Sequence, residues 1–375
     1  MEKNKENKEI IEELTKLKNL KPNTIKNYTT CIDLYTELTK KSMKQLISEA
    51  IGEEENNISW RNRKIRKYLI QYKQYLNNYY RKGTVKKYYT TICAVYRAYE
   101  VEINRIPVLT KKQTEFITYE DIPTKEEIQI ALEYMPIRIK AVTLLIISSG
   151  ITIVDLLNLK VKDFLEATKD YHSKYTTVTE QIEELSNCKQ EIVGTWKLCR
   201  QKTNKCFYTF TTPEANNIII QYLQTLNNLN EDDRLFIMSP KTVYQSYKKI
   251  NTDLELGYAG PGYRRLRPHM LRKYHASHLK DYIGMDYVDE LQGRGKSEIR
   301  ESYFYENPTK LRQIYTENMQ HVTIHDEKYK NKTLTEENNM LRDKSEYLEK
   351  ENHEIKENIR KEAQKAVEEI LKQIE

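Results

Sequence analysis

The stretch from Arg267 to Tyr305 decides how this sequence is interpreted. It reads Arg-Pro-His-Met-Leu-Arg-Lys-Tyr-His-Ala-Ser-His-Leu over 267–279, Leu-Gln-Gly-Arg-Gly-Lys-Ser over 291–297 and Tyr-Phe-Tyr over 303–305. Guanidinium groups can neutralise an anionic phosphate, histidines can move protons, and a tyrosine hydroxyl can act as a nucleophile. A His-x-x-Arg pair alone would mean little, but the ordered set of these groups is a specific signal.

Length and composition indicate more than one domain, an extension and a strongly basic segment. The chain has 375 residues, 38% of them hydrophobic and 31% charged, with a net charge of +7. This length predicts two folded domains plus an elongated, solvated element. The segment from Arg61 to Lys112 contains fourteen basic residues and only two acidic ones. Such a block predicts a polyanionic partner, although a solvated helix surface in a lysine-rich protein is an open alternative.

The cysteines and the N-terminus indicate a cytoplasmic protein. No apolar run is long enough to cross a membrane, and a charged run rather than a signal-peptide core follows Met1. The sequence therefore predicts no membrane partner. The five cysteines are odd in number and form no C-x-x-C pair, so we expect reduced packing residues and neither disulfides nor a zinc site.

Residues 21–112, after a charged segment over 1–20, predict a helical, basic domain. Asn23 is a candidate N-cap, and Gly83 is expected to break the chain between two helices. Basic residues alternate with the apolar stripes, so that one face can pack while another meets phosphate. The candidate DNA-binding residues are Arg61, Arg63, Lys64, Arg66, Lys67, Lys86 and Lys87.

A second domain is predicted over 124–322, after a linker over 113–123. Thr124 and Glu127 form a capping-box pattern, and Gly150 is a candidate C-cap of a buried helix. Alternation over 192–210 predicts a β-hairpin that turns at Thr203 and Asn204. The expected fold class is mainly α with a small β-hairpin: an α+β domain beside a helical one.

The C-terminal residues 325–375 predict a coiled coil. Leu334, Leu341, Leu348 and Ile355 recur every seven residues, and polar residues such as Asn338 and Asn352 occupy the intervening core positions. Such a pattern favours a parallel dimer in a defined register. The alternative is a single helix that packs on its own domain.

The stretch from His269 to Tyr303 resembles the catalytic domain of the tyrosine recombinase (phage integrase) family. That family has a His-x-x-Arg box, a glycine turn about 20 residues later and a nucleophilic tyrosine nine residues after the turn's histidine. His269 and Arg272 match the box, Gly293 and Arg294 fall at the turn, and Tyr303 lies nine residues beyond Arg294. The resemblance extends over roughly residues 21–320.

The resemblance implies a role for each matched residue. Tyr303 would attack a DNA phosphodiester, with Tyr305 as its competitor. Arg272 would neutralise the phosphate, and His269 would assist proton transfer. Lys202, or as runner-up Lys205, would protonate the leaving 5′-oxygen. The family's 3′-phosphotyrosine conserves bond energy, so neither cofactor nor metal is expected; the implied partners are double-stranded DNA and further copies of this chain.

Two departures from the family pattern leave the activity open. Thr152 stands where the family has its first catalytic arginine, and Arg294 stands where it has histidine or tryptophan. Arg294, or Arg200 on the predicted hairpin, could supply the missing guanidinium. Three functions are therefore weighed: an active recombinase such as the integrase of a mobile element, a weak or inactive DNA-binding relative, and a strand-cleaving topoisomerase-like or resolvase-like relative.

Overall fold

A computed structural model describes residues 2–104, 106, 118–174, 176–260, 262–295 and 307–325. By contacts the chain divides into unit 1, Met1–Glu115, and unit 2, Phe116–Glu375. The predicted nucleophile Tyr303, its competitor Tyr305, residues 113–117 of the predicted linker and all but the first residue of the predicted coiled coil lie outside the described residues.

Unit 1 is helical throughout most of its described residues. Its helices are α1 (Glu2–Lys18), α2 (Pro22–Thr39), α3 (Met43–Glu55), α4 (Lys64–Tyr79) and α5 (Lys82–Ala98). The first residues do more than carry charge, because Ile10, Ile11 and Leu14 of α1 are buried in the core of this unit. Burial of these apolar side chains ties α1 to the bundle through the hydrophobic effect.

Two local predictions in unit 1 were wrong. Helix α2 begins with Lys21 as its N-cap and Pro22 in its first turn, not at Asn23, because the fixed φ of proline suits the first helical positions. Gly83 lies in the first turn of α5 and does not break the chain. The break falls at the extended residues Tyr80 and Arg81, which separate α4 from α5.

Unit 2 combines helices with two small antiparallel sheets, as the sequence predicted for its fold class. The elements lie in this order: α6 (Lys125–Glu133), α7 (Ile137–Ser149), α8 (Ile153–Leu156), α9 (Val161–Ala167), α10 (Val178–Ser186), β1 (Gly194–Cys199), β2 (Cys206–Thr211), α11 (Pro213–Gln224), α12 (Pro240–Asp253), β3 (Tyr258–Ala259), β4 (Tyr263–Arg264), α13 (Pro268–Ile283), α14 (Met285–Leu291) and α15 (Pro308–Asn318). Short 3-10 turns cover Lys169–Tyr171 and Met319–Val322. None of the described helices is long and apolar enough to cross a membrane.

Local sequence signals in unit 2 produce the expected elements. Thr124 and Glu127 form the predicted capping box at the start of α6. Gly150 ends α7 with a φ of +63°, which glycine adopts without steric cost. Helix α7 is buried along nearly its whole length and packs against α11 and α13. It is therefore the central element of this unit's core.

The predicted hairpin is present, and it corrects the expectation about cysteines. Strands β1 and β2 pair from Gly194 opposite Thr211 to Cys199 opposite Cys206. Cys199 and Cys206 form a disulfide, whereas Cys31, Cys93 and Cys188 are free. Cysteine spacing could not reveal this pair, because directly opposed positions arise only once the strands are in register. The disulfide closes the base of the loop over 200–205.

Candidate active site

Helix α13 carries the two residues of the His-x-x-Arg box. Its first turn contains Pro268, and Arg272 lies one turn further along, buried to 8% exposure. The Arg272 guanidinium donates from Nη1 to the carbonyl oxygen of Gly150 and from Nη2 to that of Gln292, the latter at 2.8 Å. Backbone carbonyls from two distant segments therefore fix the orientation of this guanidinium.

Glycine at these two segments allows the close approach. A Cβ at Gly150 would lie 2.8 Å from atoms of Gln292 and His275, and Gly150 also has positive φ. At Gly293, which has a φ of +57°, a Cβ would lie 2.5 Å from the ring of Phe207. Any side chain at either position would therefore displace the turn that holds Arg272.

Gln292 and His275 form a buried hydrogen-bonded pair that contacts the backbone of Arg272. Gln292 Nε2 donates to the backbone oxygen of Arg272 at 3.0 Å and lies 2.9 Å from His275 Nδ1. Burial, followed by the charges of Arg272 and Arg294, lowers the pKa of His275 to about 3. His275 is therefore neutral at physiological pH and accepts the Gln292 hydrogen bond. Sequence reasoning missed Gln292, whose polar side chain between Leu291 and Gly293 gave no signal by itself.

Three consecutive carbonyl oxygens of the turn over 292–294 hold three cationic side chains. Gln292 O accepts from Arg272, Gly293 O accepts from Arg200 Nη1 at 3.1 Å, and Arg294 O accepts from Lys205 Nζ at 3.1 Å. We call this turn the carbonyl turn. It aligns groups from α13 and from the hairpin loop along one short backbone segment.

The positive charges gathered at the carbonyl turn influence one another. We call Arg200, Arg272 and Arg294 the guanidinium cluster. Burial, then the charges of Arg294 and Arg200, lower the pKa of Arg272 to about 9, so it stays protonated at neutral pH. Asp155 lies 3.8 Å from Arg200 Nε, and Asp289 lies 3.2 Å from Arg294 Nη1. Among the described residues no carboxylate forms a salt bridge with Arg272, so three guanidinium groups face two carboxylates and the cluster keeps a net positive charge.

The hairpin loop over 200–205 brings Lys205, rather than Lys202, to this cluster. The Arg200 N–H donates to Lys205 O at 2.9 Å, and the Asn204 N–H donates to Arg200 O at 2.8 Å. Lys205 Nζ also lies 3.7 Å from Glu290. Lys202, in contrast, is exposed at the tip of the loop. The structure therefore favours the runner-up lysine by proximity, while the role of either lysine stays a prediction.

Thr152, which stands where the sequence resemblance leads us to expect an arginine, serves as a helix cap. Its Oγ1 accepts from the Asp155 N–H at 3.3 Å and donates to Asp155 Oδ2 at 2.6 Å. Asp155 Oδ1 in turn accepts from the Gln201 N–H at 3.1 Å. Asp155 thus links α8 to the hairpin loop. Sequence reasoning did not single it out, because its loop partner is 46 residues away.

His269 lies on the exposed side of the first turn of α13. Local desolvation, followed by the charges of Arg267, Lys273, Arg272 and Arg294, lowers its pKa below the usual value of 6.5. The imidazole is therefore neutral at physiological pH and able to accept a proton. Tyr303, the predicted nucleophile near which His269 would assist proton transfer, lies outside the described residues.

The predicted DNA-binding residues of unit 1 fall into two groups. Arg63 and Lys64 form salt bridges with Glu54 and Glu49, which neutralise part of their charge. Arg61, Lys67, Lys86 and Lys87 are exposed, and Arg66 is half-buried. Lys67 on α4 and Lys86 and Lys87 on α5 form no salt bridge with another described residue, so they keep charge available for a polyanion.

Aromatic rings that are at least partly exposed accompany these charges. The rings of Tyr80 and Tyr88 lie 5.4 Å apart, and Tyr75 contacts Tyr79 at 4.8 Å between ring centroids. Tyr79 is 71% exposed.

Within the part of the chain that the structure describes, no group of three or more His, Cys, Asp or Glu side chains could hold a metal ion.

Comparisons with known proteins find similarity only among solved structures; no family model and no curated protein matches the chain. The crystal structure of XerA recombinase is 15% identical, with 84% of this chain and 98% of that chain covered and a TM-score of 0.33. The XerH site-specific recombinase bound to its difH substrate is 15% identical, with 66% and 68% covered and a TM-score of 0.42. An integrase from mycobacterium phage Brujita is 13% identical, with 83% and 90% covered and a TM-score of 0.32. Two recombinases and an integrase are the kinds of protein that the sequence resembles.

Proposed function

We propose that this chain is a site-specific DNA recombinase of the integrase kind, which cleaves and rejoins strands through a 3′-phosphotyrosine. The observation that carries the proposal is the carbonyl turn, which orients Arg272, Arg200 and Lys205 by three successive carbonyl oxygens. Cations fixed in a largely buried site stabilise the charge that develops on a phosphate without reorganising during the reaction. A phosphodiester oxygen pair is the anion that such planar guanidinium groups fit.

The proposed reaction begins with attack on a DNA phosphodiester. The Tyr303 hydroxyl oxygen bonds to phosphorus as the bond from phosphorus to the 5′-oxygen breaks. His269, neutral because its pKa is lowered, accepts the phenolic proton. The leaving 5′-oxygen takes a proton from a lysine, either Lys205 beside the carbonyl turn or Lys202.

Rejoining reverses these steps on a second strand. A 5′-hydroxyl attacks the phosphotyrosine, a new phosphodiester forms, and Tyr303 leaves and regains its proton. Because the covalent bond conserves the energy of the original linkage, no nucleotide hydrolysis is needed. The exposed bases of unit 1 would supply sequence-tolerant affinity through phosphate contacts.

Assembly on two duplexes needs several protomers, and the heptads over 325–375 offer a means. We propose that they associate two copies in parallel and raise the local concentration of the second subunit. Removal of residues 326–375 should convert the free protein from a dimer to a monomer in sedimentation. An unchanged oligomeric state would mean that the tail does not associate.

Covalent capture from a randomised pool of DNA tests the proposed reaction. Nicked duplexes whose central sequence is randomised are incubated with the protein, and adducts that survive denaturation are isolated and sequenced. The nick lets the released strand diffuse away, so the phosphotyrosine accumulates. The selected duplex then serves as substrate, and peptide mapping identifies the linked residue.

Two tyrosine variants locate the nucleophile. Tyr303→Phe should abolish the adduct without weakening DNA binding, whereas Tyr305→Phe should leave it in place. An adduct at Tyr305 would keep the mechanism and change its nucleophile. Absence of any adduct from the unaltered protein would favour the second candidate, an inactive DNA-binding relative. The specific observation behind that candidate is Thr152, which caps α8 where a phosphate donor is expected.

A further inference from the structure

Arg200 is positioned as a participant in the site rather than as a surface residue of the hairpin. Its Nη1 donates to Gly293 O at 3.1 Å, next along the carbonyl turn to the acceptor of Arg272. Its side chain is 18% exposed, and its Nε is buried with no hydrogen-bond partner among the described residues. Both guanidinium groups are thus held against the same turn, close enough for the charge of Arg200 to lower the pKa of Arg272.

A short chain of hydrogen bonds connects the position of Thr152 to Arg200. Thr152 Oγ1 donates to one carboxylate oxygen of Asp155 at 2.6 Å, and the other carboxylate oxygen accepts from the Gln201 N–H at 3.1 Å. The first of these oxygens lies 3.8 Å from Arg200 Nε. Thr152 therefore supplies no charge itself, but it fixes the carboxylate that faces the arginine.

The backbone around Arg200 is restrained from both sides. The Arg200 N–H donates to Lys205 O, and Arg200 O accepts from the Asn204 N–H. The Cys199–Cys206 disulfide closes the loop immediately outside Arg200 and Lys205. A guanidinium held in this way loses little conformational entropy when an anion binds, so it can act as a preorganised donor.

We infer that Arg200 contacts the reacting phosphate and supplies the guanidinium that position 152 lacks, with Asp155 as a positioning residue. This inference rests on the proposed function and adds a catalytic residue to it. Arg272 would hold the phosphate from α13 and Arg200 from the hairpin, so that two separate elements of the fold contribute planar donors to one anion.

The test uses the full chain and the duplex obtained by covalent capture, in single-turnover reactions. We expect Arg200→Ala to slow adduct formation by about a hundred- to a thousandfold. Arg200→Lys, which keeps one charge but not the planar fork, should give an intermediate rate, and Asp155→Asn a smaller reduction. Arg234→Ala is the matched control, because Arg234 also donates to a backbone carbonyl, that of Leu157, outside the cluster.

A neutral analogue of the scissile phosphate distinguishes a contact of Arg200 with substrate from a merely structural role of this residue. In a second duplex a methylphosphonate replaces the scissile phosphate, which removes the negative charge that Arg200 would neutralise. The rate ratio between the unaltered protein and Arg200→Ala should then shrink by about tenfold or more. A structural defect would slow both substrates equally, and that result would overturn the inference.

The possible results distinguish failure of the Arg200 inference from failure of the proposed function. If the unaltered protein forms an adduct and both Arg200→Ala and Arg200→Lys form it at the same rate, Arg200 does not contact the phosphate and the proposed function stands. If the unaltered protein forms no adduct on any duplex, the proposed function fails and the inference fails with it.

Discussion

The positive charges of this protein occupy two contrasting environments. On unit 1, Lys67, Lys86 and Lys87 are exposed on α4 and α5 and remain solvated. In unit 2, Arg272 is 8% exposed and is held by backbone carbonyls. Both sets carry positive charge that suits phosphate. Only in the second is the orientation of the charged group fixed before a ligand binds.

The difference follows from solvent. Exposed charges interact through a high dielectric and are screened by salt, so each contributes modest affinity that spreads over many phosphates. In a low-dielectric pocket the same charge interacts several times more strongly, provided that it does not need to reorient. The exposed bases are therefore suited to affinity, and the guanidinium cluster to chemistry on one phosphate.

Replacement of Arg272 should break this contrast most completely. We expect Arg272→Ala to lower the rate of covalent adduct formation by about a thousandfold, equivalent to about 4 kcal/mol, because the buried donor acts mainly on the transition state. DNA affinity, measured by anisotropy, should change by no more than a few fold. A variant that binds DNA more weakly but keeps its cleavage rate would contradict the division of roles.

Substitution of Gly150 or of Gly293, which follows the Arg272 acceptor Gln292, should lower the stability of unit 2. Gly150→Ala and Gly293→Ala each combine a positive φ with a Cβ closer than about 3 Å to a neighbouring side chain, so we expect the free energy of unfolding to fall by about 1–3 kcal/mol. Urea denaturation followed by the fluorescence of buried Trp196, in a Trp60→Phe background, reports on unit 2.

Gly295 provides the matched control for these substitutions. A Cβ there would meet nothing within 4 Å. Gly295→Ala should therefore stay within about 0.5 kcal/mol of the unaltered protein. Equal destabilisation at all three glycines would mean that the carbonyl turn does not require the close approach.

Acid should weaken unit 2 through His275. Its pKa falls from 6.5 when unfolded to about 3 when folded, so below pH 6.5 the unfolded chain binds a proton that the folded chain does not. The contribution of His275 to stability is constant above pH 6.5 and declines by up to about 1.4 kcal/mol per pH unit as the pH falls from 6.5 towards 3.

His275→Gln should flatten this pH dependence. The free energy of unfolding, measured in urea at several values between about pH 7 and pH 5, should fall less steeply for the variant than for the unaltered protein. Parallel slopes for the two proteins would exclude His275 as the cause.

The exposed bases should give the smallest effect per residue. The double change Lys86→Ala and Lys87→Ala should lower the slope of log affinity against log salt by about 1.8, because each phosphate that the protein no longer neutralises removes about 0.9. Arg63→Ala should change that slope less, because Arg63 already pairs with Glu54. A larger change for Arg63 than for the lysines would mean that its ion pair opens on DNA.

Local elements were predictable from the sequence wherever neighbours along the chain decide them. The Thr124 capping box, the Gly150 C-cap and the hairpin at 194–211 each depend on hydrogen bonds within a few residues or across one turn, and the structure confirms them. The failures at Asn23 and Gly83 were also local. There the φ of Pro22 and the tolerance of a first helical turn for glycine outweighed the usual cap and breaker signals.

The candidate site also has some features that the sequence predicted and others that only the tertiary structure revealed. By itself the sequence determined that His269 and Arg272 begin one helix and that lysines and an arginine occupy a hairpin loop. Only the tertiary structure decided that Gly150, 122 residues from Arg272, accepts its hydrogen bond, and that Lys205 rather than Lys202 reaches the carbonyl turn. The physical reason is that caps and turns are set by short-range backbone hydrogen bonds, whereas the guanidinium cluster exists because the packing of α7, α13, α14 and the hairpin brings distant segments together.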